Sequence, residues 1–78
     1  MGYFSSKFNK LEVIFIDFPR NLKEIRKVKG YSQEELAEKL GLNKFTISKY
    51  EQGTREPDLN TLEKIKIALD CSYDDLLK

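Results

Sequence analysis

The residue types that could do chemistry in this 78-residue chain are lysines, arginines, amides, hydroxyls and carboxylates; histidine is absent and cysteine occurs once, at Cys71. These residues form no nucleophile–base constellation, no Gly-rich phosphate loop and no cluster with metal-ligand spacing. An enzyme is therefore the weakest reading, and neither a cofactor nor a metal is implied. Cys71 sits among Ala68, Leu69 and Leu76 and reads as a small buried apolar residue. What remains is hydrogen bonding and charge pairing. The formal net charge is only +1, but residues 20–29 hold five basic side chains (Arg20, Lys23, Arg26, Lys27, Lys29) against one acid, Glu24. Residues 56–75 reverse the balance, with six acids against two lysines. A chain polarised in this way can present one basic face while staying near neutral.

Side chains of this kind need a frame, and residues 33–52, QEELAEKLGLNKFTISKYEQ, describe one. Leu36, Leu40, Leu42 and Ile47 are apolar positions that press two short helices together. Ala37 is small enough for the second helix to cross closely. Gly41 follows the first helix where a left-handed residue stops it, and Asn43 has a side chain suited to cap the next. Two helices joined by such a turn are the shape that sets a helix in the major groove of DNA.

The flanking sequence predicts five helices in all, over residues 19–78. The first opens at Pro19 and carries Leu22, Ile25 and Val28 at helical spacing, ending near Gly30. The second starts at Ser32, whose S-x-x-E pattern with Glu35 is a capping box, and runs to about Leu40. The third runs from Asn43 or Lys44 to Gln52, before Gly53. Asp58 caps a fourth with Leu59, Leu62, Ile65, Ala68 and Leu69 as its apolar stripe. Ser72 and Asp75 box a short fifth that brings Leu76 and Leu77 inward. Leu36, Leu40, Leu42, Ile47, Leu59, Leu62, Ile65 and Leu69 are the expected core. Residues 1–18 differ: Leu11, Val13, Ile14, Phe15, Ile16 and Phe18 make a β-branched and aromatic run that favours an extended strand. The expected division is an extension at residues 1–18 and a helical domain at residues 19–78. No run is apolar enough to span a membrane, and no signal-peptide pattern opens the chain, so it is read as cytoplasmic.

With these elements in view, the chain resembles the Cro and phage-repressor family of helix-turn-helix regulators, the XRE family. The resemblance rests on R-x-x-x-G-x-S-Q-E-E-L-A from Arg26, then L-G-L, T-I-S-x-Y-E, G-x-R-x-P and the closing L-D-x-S-x-D-D-L-L, and it covers about three quarters of the chain. It implies an all-α fold, a compact five-helix lambda-repressor-like DNA-binding domain, here with an N-terminal extended segment that the basic family domain lacks. It also implies a homodimer on a palindromic operator in double-stranded DNA, most often acting as a repressor.

The resemblance assigns roles to matching positions. Gln33, opening the second helix, would hold a phosphate with its side chain and amide, as the positive end of a helix dipole favours. Asn43, Lys44, Phe45, Ser48 and Lys49 would read bases. Lysines suit guanine O6 and N7 or phosphates, serine suits either kind of edge, and phenylalanine suits a thymine methyl. Thr46 and Tyr50 would support the helix or reach the backbone. Gly53, Thr54 and Arg55 match a second backbone contact, with the minor groove as an alternative for Arg55. Arg26 and Glu51 match a brace between the first and third helices that leaves guanidinium donors near a phosphate. Phe45 is less usual among the family's base-reading residues.

A second function class stays open. The same fold serves as a protein-interaction module, such as an antitoxin or adaptor, and an apolar strand at residues 1–18 could grip a partner by adding to its sheet edge. The extension could equally pair with its own two-fold mate, or do little.

Overall fold

The computed structural model describes residues 17–78, which form five α-helices: α1 (Phe18–Val28), α2 (Gln33–Leu40), α3 (Lys44–Gln52), α4 (Leu59–Leu69) and α5 (Tyr73–Leu77). No strand occurs among the described residues. The strand expected at residues 11–17 falls almost wholly outside them, as do the partner-gripping and dimerisation uses suggested for it. Phe18, grouped by its neighbours with that strand, is instead the first residue of α1 and is buried. The helix opens one residue before Pro19, and the Asp17 carbonyl accepts from the Asn21 amide at 2.9 Å. The body of the fold thus takes in a residue assigned to the extension.

Local signals set the helix ends. Ser32 and Ser72 form reciprocal capping boxes with Glu35 and Asp75, and the Asp58 carboxylate accepts from the Thr61 amide at 2.8 Å. Gly41 ends α2 in the left-handed region, φ 72°, where a Cβ would be strained. Asp70 ends α4 in the same region at φ 51°.

One core holds the helices together: Phe18, Leu22, Leu36, Ala37, Leu40, Ile47, Tyr50, Leu62, Ile65, Leu69 and Leu76. α3 packs on both α1 and α2, α2 also on α4, and α1 on α5. Phe18 and Tyr50 meet edge-on with ring centroids 6.3 Å apart, fixing the start of α1 against α3. The Asn21 amide donates to the Leu76 carbonyl at 3.0 Å and ties α5 down on α1.

Two of the expected core positions, Leu42 and Leu59, are different, and so are Val28, placed at helical spacing on α1, and Cys71, read as buried. Leu59 is 79% exposed and Val28 is 83% exposed, while Leu42 and Cys71 are only half-buried. The inner line of α1 is Phe18, Leu22 and Arg26, four residues apart, and Val28 lies about 200° around the helix from Arg26. Leu59 opens α4 a turn before its first buried residue, Leu62, and lines an open groove with Tyr73 and Leu77 of α5. Leu42 and Cys71 sit in turns at the margin of the core. Burial pushes the Cys71 thiol above its ordinary value, with Asp75 and Asp70 adding and Lys29 and Lys66 opposing; a thiol so held is a poor nucleophile.

Candidate nucleic-acid interface

α3 carries the largest share of the candidate residues, and its seating decides which of them face outward. Ile47 and Tyr50 point into the core. Lys44, Phe45 and Lys49 are exposed on the other side, with Phe45 at 66%. The ring is an exposed apolar surface set between two lysines of the same helix.

Asn43 precedes α3 in extended conformation, and its Oδ1 accepts from the Thr46 amide at 3.0 Å and from Thr46 Oγ1 at 3.2 Å. The acceptor is therefore committed to the cap, and its amide donors are what Asn43 can offer a ligand. Ser48 is half-buried, and its hydroxyl accepts from Gln52 Nε2 at 2.9 Å. Gln52 was not among the residues picked out from sequence. It stands at helical spacing from Phe45, Ser48 and Lys49 on the exposed side of α3, so the signal was present in the periodicity.

Lys44 and Phe45 form a small assembly with α2. Lys44 Nζ lies 3.3 Å from Glu34 Oε2, and 5.7 Å from the centroid of the Phe45 ring. Lys49, in the last turn, is exposed. Its carbonyl accepts from the Thr54 amide at 3.0 Å and from Thr54 Oγ1 at 3.3 Å, which folds the following loop back on α3. Gly53 makes that fold at φ 79°, with room for a Cβ limited by Pro19 Cγ at 3.4 Å. Arg55 is exposed just beyond. It lies near enough to Tyr50 that its charge opposes the burial which raises that phenol above its usual value.

Behind α3 lies a polar network. Arg26 Nε donates to Glu51 Oε2 at 2.6 Å and Arg26 Nη2 to Glu51 Oε1 at 3.1 Å, with side chains 8% and 4% exposed. Arg26 Nη1 donates to the Tyr31 carbonyl at 2.7 Å. Gln33 Nε2 donates to Glu51 Oε1 at 3.0 Å. One carboxylate thus gathers side chains from α1 and α2 onto α3, and both of its oxygens accept hydrogen bonds, as a buried charge requires.

Two expectations are refined here. Arg26 is nearly out of water and commits three of its five N–H groups to the Tyr31 carbonyl and Glu51, so what the fold shows of it is the brace between α1 and α3. Gln33 gives its side-chain amide NH₂ to Glu51, and its backbone N–H, at the positive end of α2, has no intrahelical acceptor. Lys23 and Lys27 are exposed along α1. Among the described residues no group of His, Cys, Asp and Glu could hold a metal ion, and no helix is long and apolar enough to cross a membrane.

Comparisons agree with this geometry. A family model described as helix-turn-helix matches residues 22–76. An uncharacterized HTH-type transcriptional regulator of Bacillus subtilis (strain 168), YqaE, is 48% identical over 61 residues, covering 78% of this chain and 53% of that protein. The chain spans about half the length of the curated relatives it matches. Among solved structures, the restriction-modification controller protein C.AhdI from Aeromonas hydrophila superposes with a TM-score of 0.72 at 33% identity, covering 85% of this chain and 97% of that one. SinR, a master regulator for biofilm formation solved in complex with DNA, gives 0.70 at 42% identity, covering 76% of this chain and 98% of that one.

Proposed function

This chain belongs to the helix-turn-helix family, of the Cro and phage-repressor type, and from that premise we propose that it is a sequence-specific DNA-binding transcriptional regulator. It acts as a repressor of the phage, mobile-element or restriction-control kind, and binds a palindromic operator as a homodimer. The observation that carries this reading is the seating of α3. Its inner face is locked by Ile47, Tyr50 and the Arg26–Glu51 pair, while Lys44, Phe45, Ser48, Lys49 and Gln52 are presented together on a rigid helix. A neighbour of the same fold was solved in complex with DNA.

In this reading α3 lies in the major groove with its N-terminal turn and its outward face toward the base edges. Lys49 and the donors of Asn43 contact guanine or adenine acceptors, and Phe45 packs on a thymine methyl. The backbone amide of Gln33 and the side chain of Arg55 hold phosphates on either side, fixing register without reading sequence, while the Thr54 hydroxyl is given to the Lys49 carbonyl and holds the loop on α3. Two copies would place two such helices about one turn of DNA apart.

Selection of bound duplexes from a random pool, followed by stoichiometry on the winning sequence, tests the reading. A palindrome bound by two chains is expected. Recovery of no enriched sequence would remove sequence-specific binding, and a single chain on an asymmetric site would remove the dimer.

A further inference from the structure

We propose that Phe45 is a specificity-determining residue that reads the C5-methyl group of a pyrimidine, carried by thymine or by 5-methylcytosine, beside a guanine held by Lys49. The proposal rests on the DNA-binding reading above and deepens it: binding by this face depends on whether a cytosine is methylated.

Phe45 is the second residue of α3, in the turn that a recognition helix brings to the base edges. Its ring is 66% exposed. The Lys44 ammonium lies 5.7 Å from the ring centroid and is itself drawn to Glu34 Oε2, 3.3 Å away. With Lys49 exposed on the same helix, the result is an apolar surface rimmed by cations, which fits an apolar group borne on a polyanion. The C5-methyl is that group in the major groove, where the rest of each base edge is hydrogen-bond donors and acceptors.

The polar groups around the ring select its neighbour. Asn43 Oδ1 is taken by the Thr46 amide and hydroxyl, so Asn43 offers its amide hydrogens. Ser48 Oγ accepts from Gln52 and keeps its own proton to give. Lys49 can only donate. Donors suit the paired acceptors O6 and N7 of guanine and oppose the amino groups of adenine and cytosine. Lys49 stands four residues after Phe45, which sets their Cβ atoms about 5–6 Å apart on one helix face. Stacked base pairs are about 3.4 Å apart, so the two side chains reach the same pair or adjacent ones. The pyrimidine opposite a guanine is cytosine, which carries no methyl, and in unmodified DNA the ring must take its methyl from a neighbouring thymine. Methylation of cytosine puts the same group at the same place in the groove. A hydrocarbon ring has no donor or acceptor for the O4 or amino group that distinguishes the two bases, so Phe45 accepts either methyl.

The test uses the duplex recovered by selection, in which an unmodified pool presents the methyl as thymine. Each thymine is replaced in turn by uracil, which removes the methyl and nothing else. Affinity is measured for the intact chain and its F45A and F45L variants, with melting temperatures to check that the fold is retained. At one position uracil is expected to weaken the intact chain about fourfold, the scale of burying one CH₂-sized group, and to leave F45A unaffected. F45L keeps an apolar side chain and part of the difference. At that position a cytosine–guanine pair is then compared with a 5-methylcytosine–guanine pair. The methylated pair is expected to bind the intact chain about fourfold more tightly, and F45A equally. The proposal is overturned if no uracil weakens binding, if the uracil penalty survives in F45A, or if methylation of the cytosine leaves affinity unchanged. It is equally overturned if F45A binds every duplex as the intact chain does, which would assign the ring to a protein partner. Failure of the unaltered chain to enrich any duplex would instead overturn the reading on which the proposal stands.

Discussion

Arg26 and Glu51 face each other through two hydrogen bonds, 2.6 and 3.1 Å, and both side chains are nearly out of water. They join α1 to α3, the helix that presents the candidate reading face. Removing one partner leaves the other buried and charged, which costs far more than the net contribution of the pair. Glu51→Ala is expected to lower unfolding stability by about 3–5 kcal/mol. Replacing both residues with apolar ones, Arg26→Met with Glu51→Leu, should recover most of that loss. Urea unfolding of the single and double variants checks both; a single-variant loss near zero would show that α3 does not depend on the pair.

Leu40 and Leu59 separate core from surface. Leu40 is buried where α2 meets its neighbours, and Leu59 is exposed at the start of α4. Leu40→Ala should cost about 2–5 kcal/mol, the range for a buried leucine truncation. Leu59→Ala should stay within about 0.5 kcal/mol, as exposed substitutions do. Equal losses in thermal or denaturant unfolding would contradict the packing described.

Lys49 and Arg55 should affect DNA binding without affecting folding, since both are exposed. Arg55→Ala is expected to weaken specific and random duplexes alike and reduce the salt slope by about one. Lys49→Ala should weaken the selected duplex more than a random one, by about 1–3 kcal/mol if its partner is a base edge. Anisotropy titrations at several salt concentrations distinguish the two roles, and an unchanged slope for Arg55→Ala would take it off the phosphate list.

The acidic caps set a stability limit at low pH. The Thr61 amide, then the Thr61 hydroxyl, hold the Asp58 carboxyl below its ordinary value; the Ser72 amide and hydroxyl do the same for Asp75. A folded-state value below the unfolded one means the folded chain binds fewer protons. The stabilisation is therefore fully present above the unfolded carboxylate value of about 4, and it is lost as pH falls through the lower folded value. Asp58→Asn keeps an acceptor for the cap but cannot titrate, so its melting temperature should fall less steeply than that of the unaltered chain below about pH 4. Parallel curves for the two proteins would show that this cap contributes nothing to acid sensitivity.

The helices and the turn between α2 and α3 were legible because their causes are local. A capping box needs only Ser32 and Glu35, a left-handed stop needs only Gly41, and period 3.6 places Leu36, Leu40 and Ile47 inward wherever a partner helix lies. The exceptions came at helix ends. Leu59 has the spacing of a core residue, but a stripe is buried only as far as the partner helix extends; Val28 lies about 200° around α1 from the inner line of Phe18, Leu22 and Arg26. Phe18 shows the converse: beside Val13 to Ile16 it reads as strand, yet Tyr50, thirty-two positions away, supplies the ring that holds it in α1.

The sequence by itself determined the helix content and the motif, since these depend on neighbours within a turn or two. Tertiary structure decided what each polar side chain is free to do, because hydrogen bonds and ion pairs depend on distances between helices that periodicity does not contain. Arg26 and Gln33 both had the chemistry to hold a phosphate, and the fold turns both toward Glu51. Lys44 reads as an open cation, and only the crossing of α2 over α3 brings Glu34 within 3.3 Å of it.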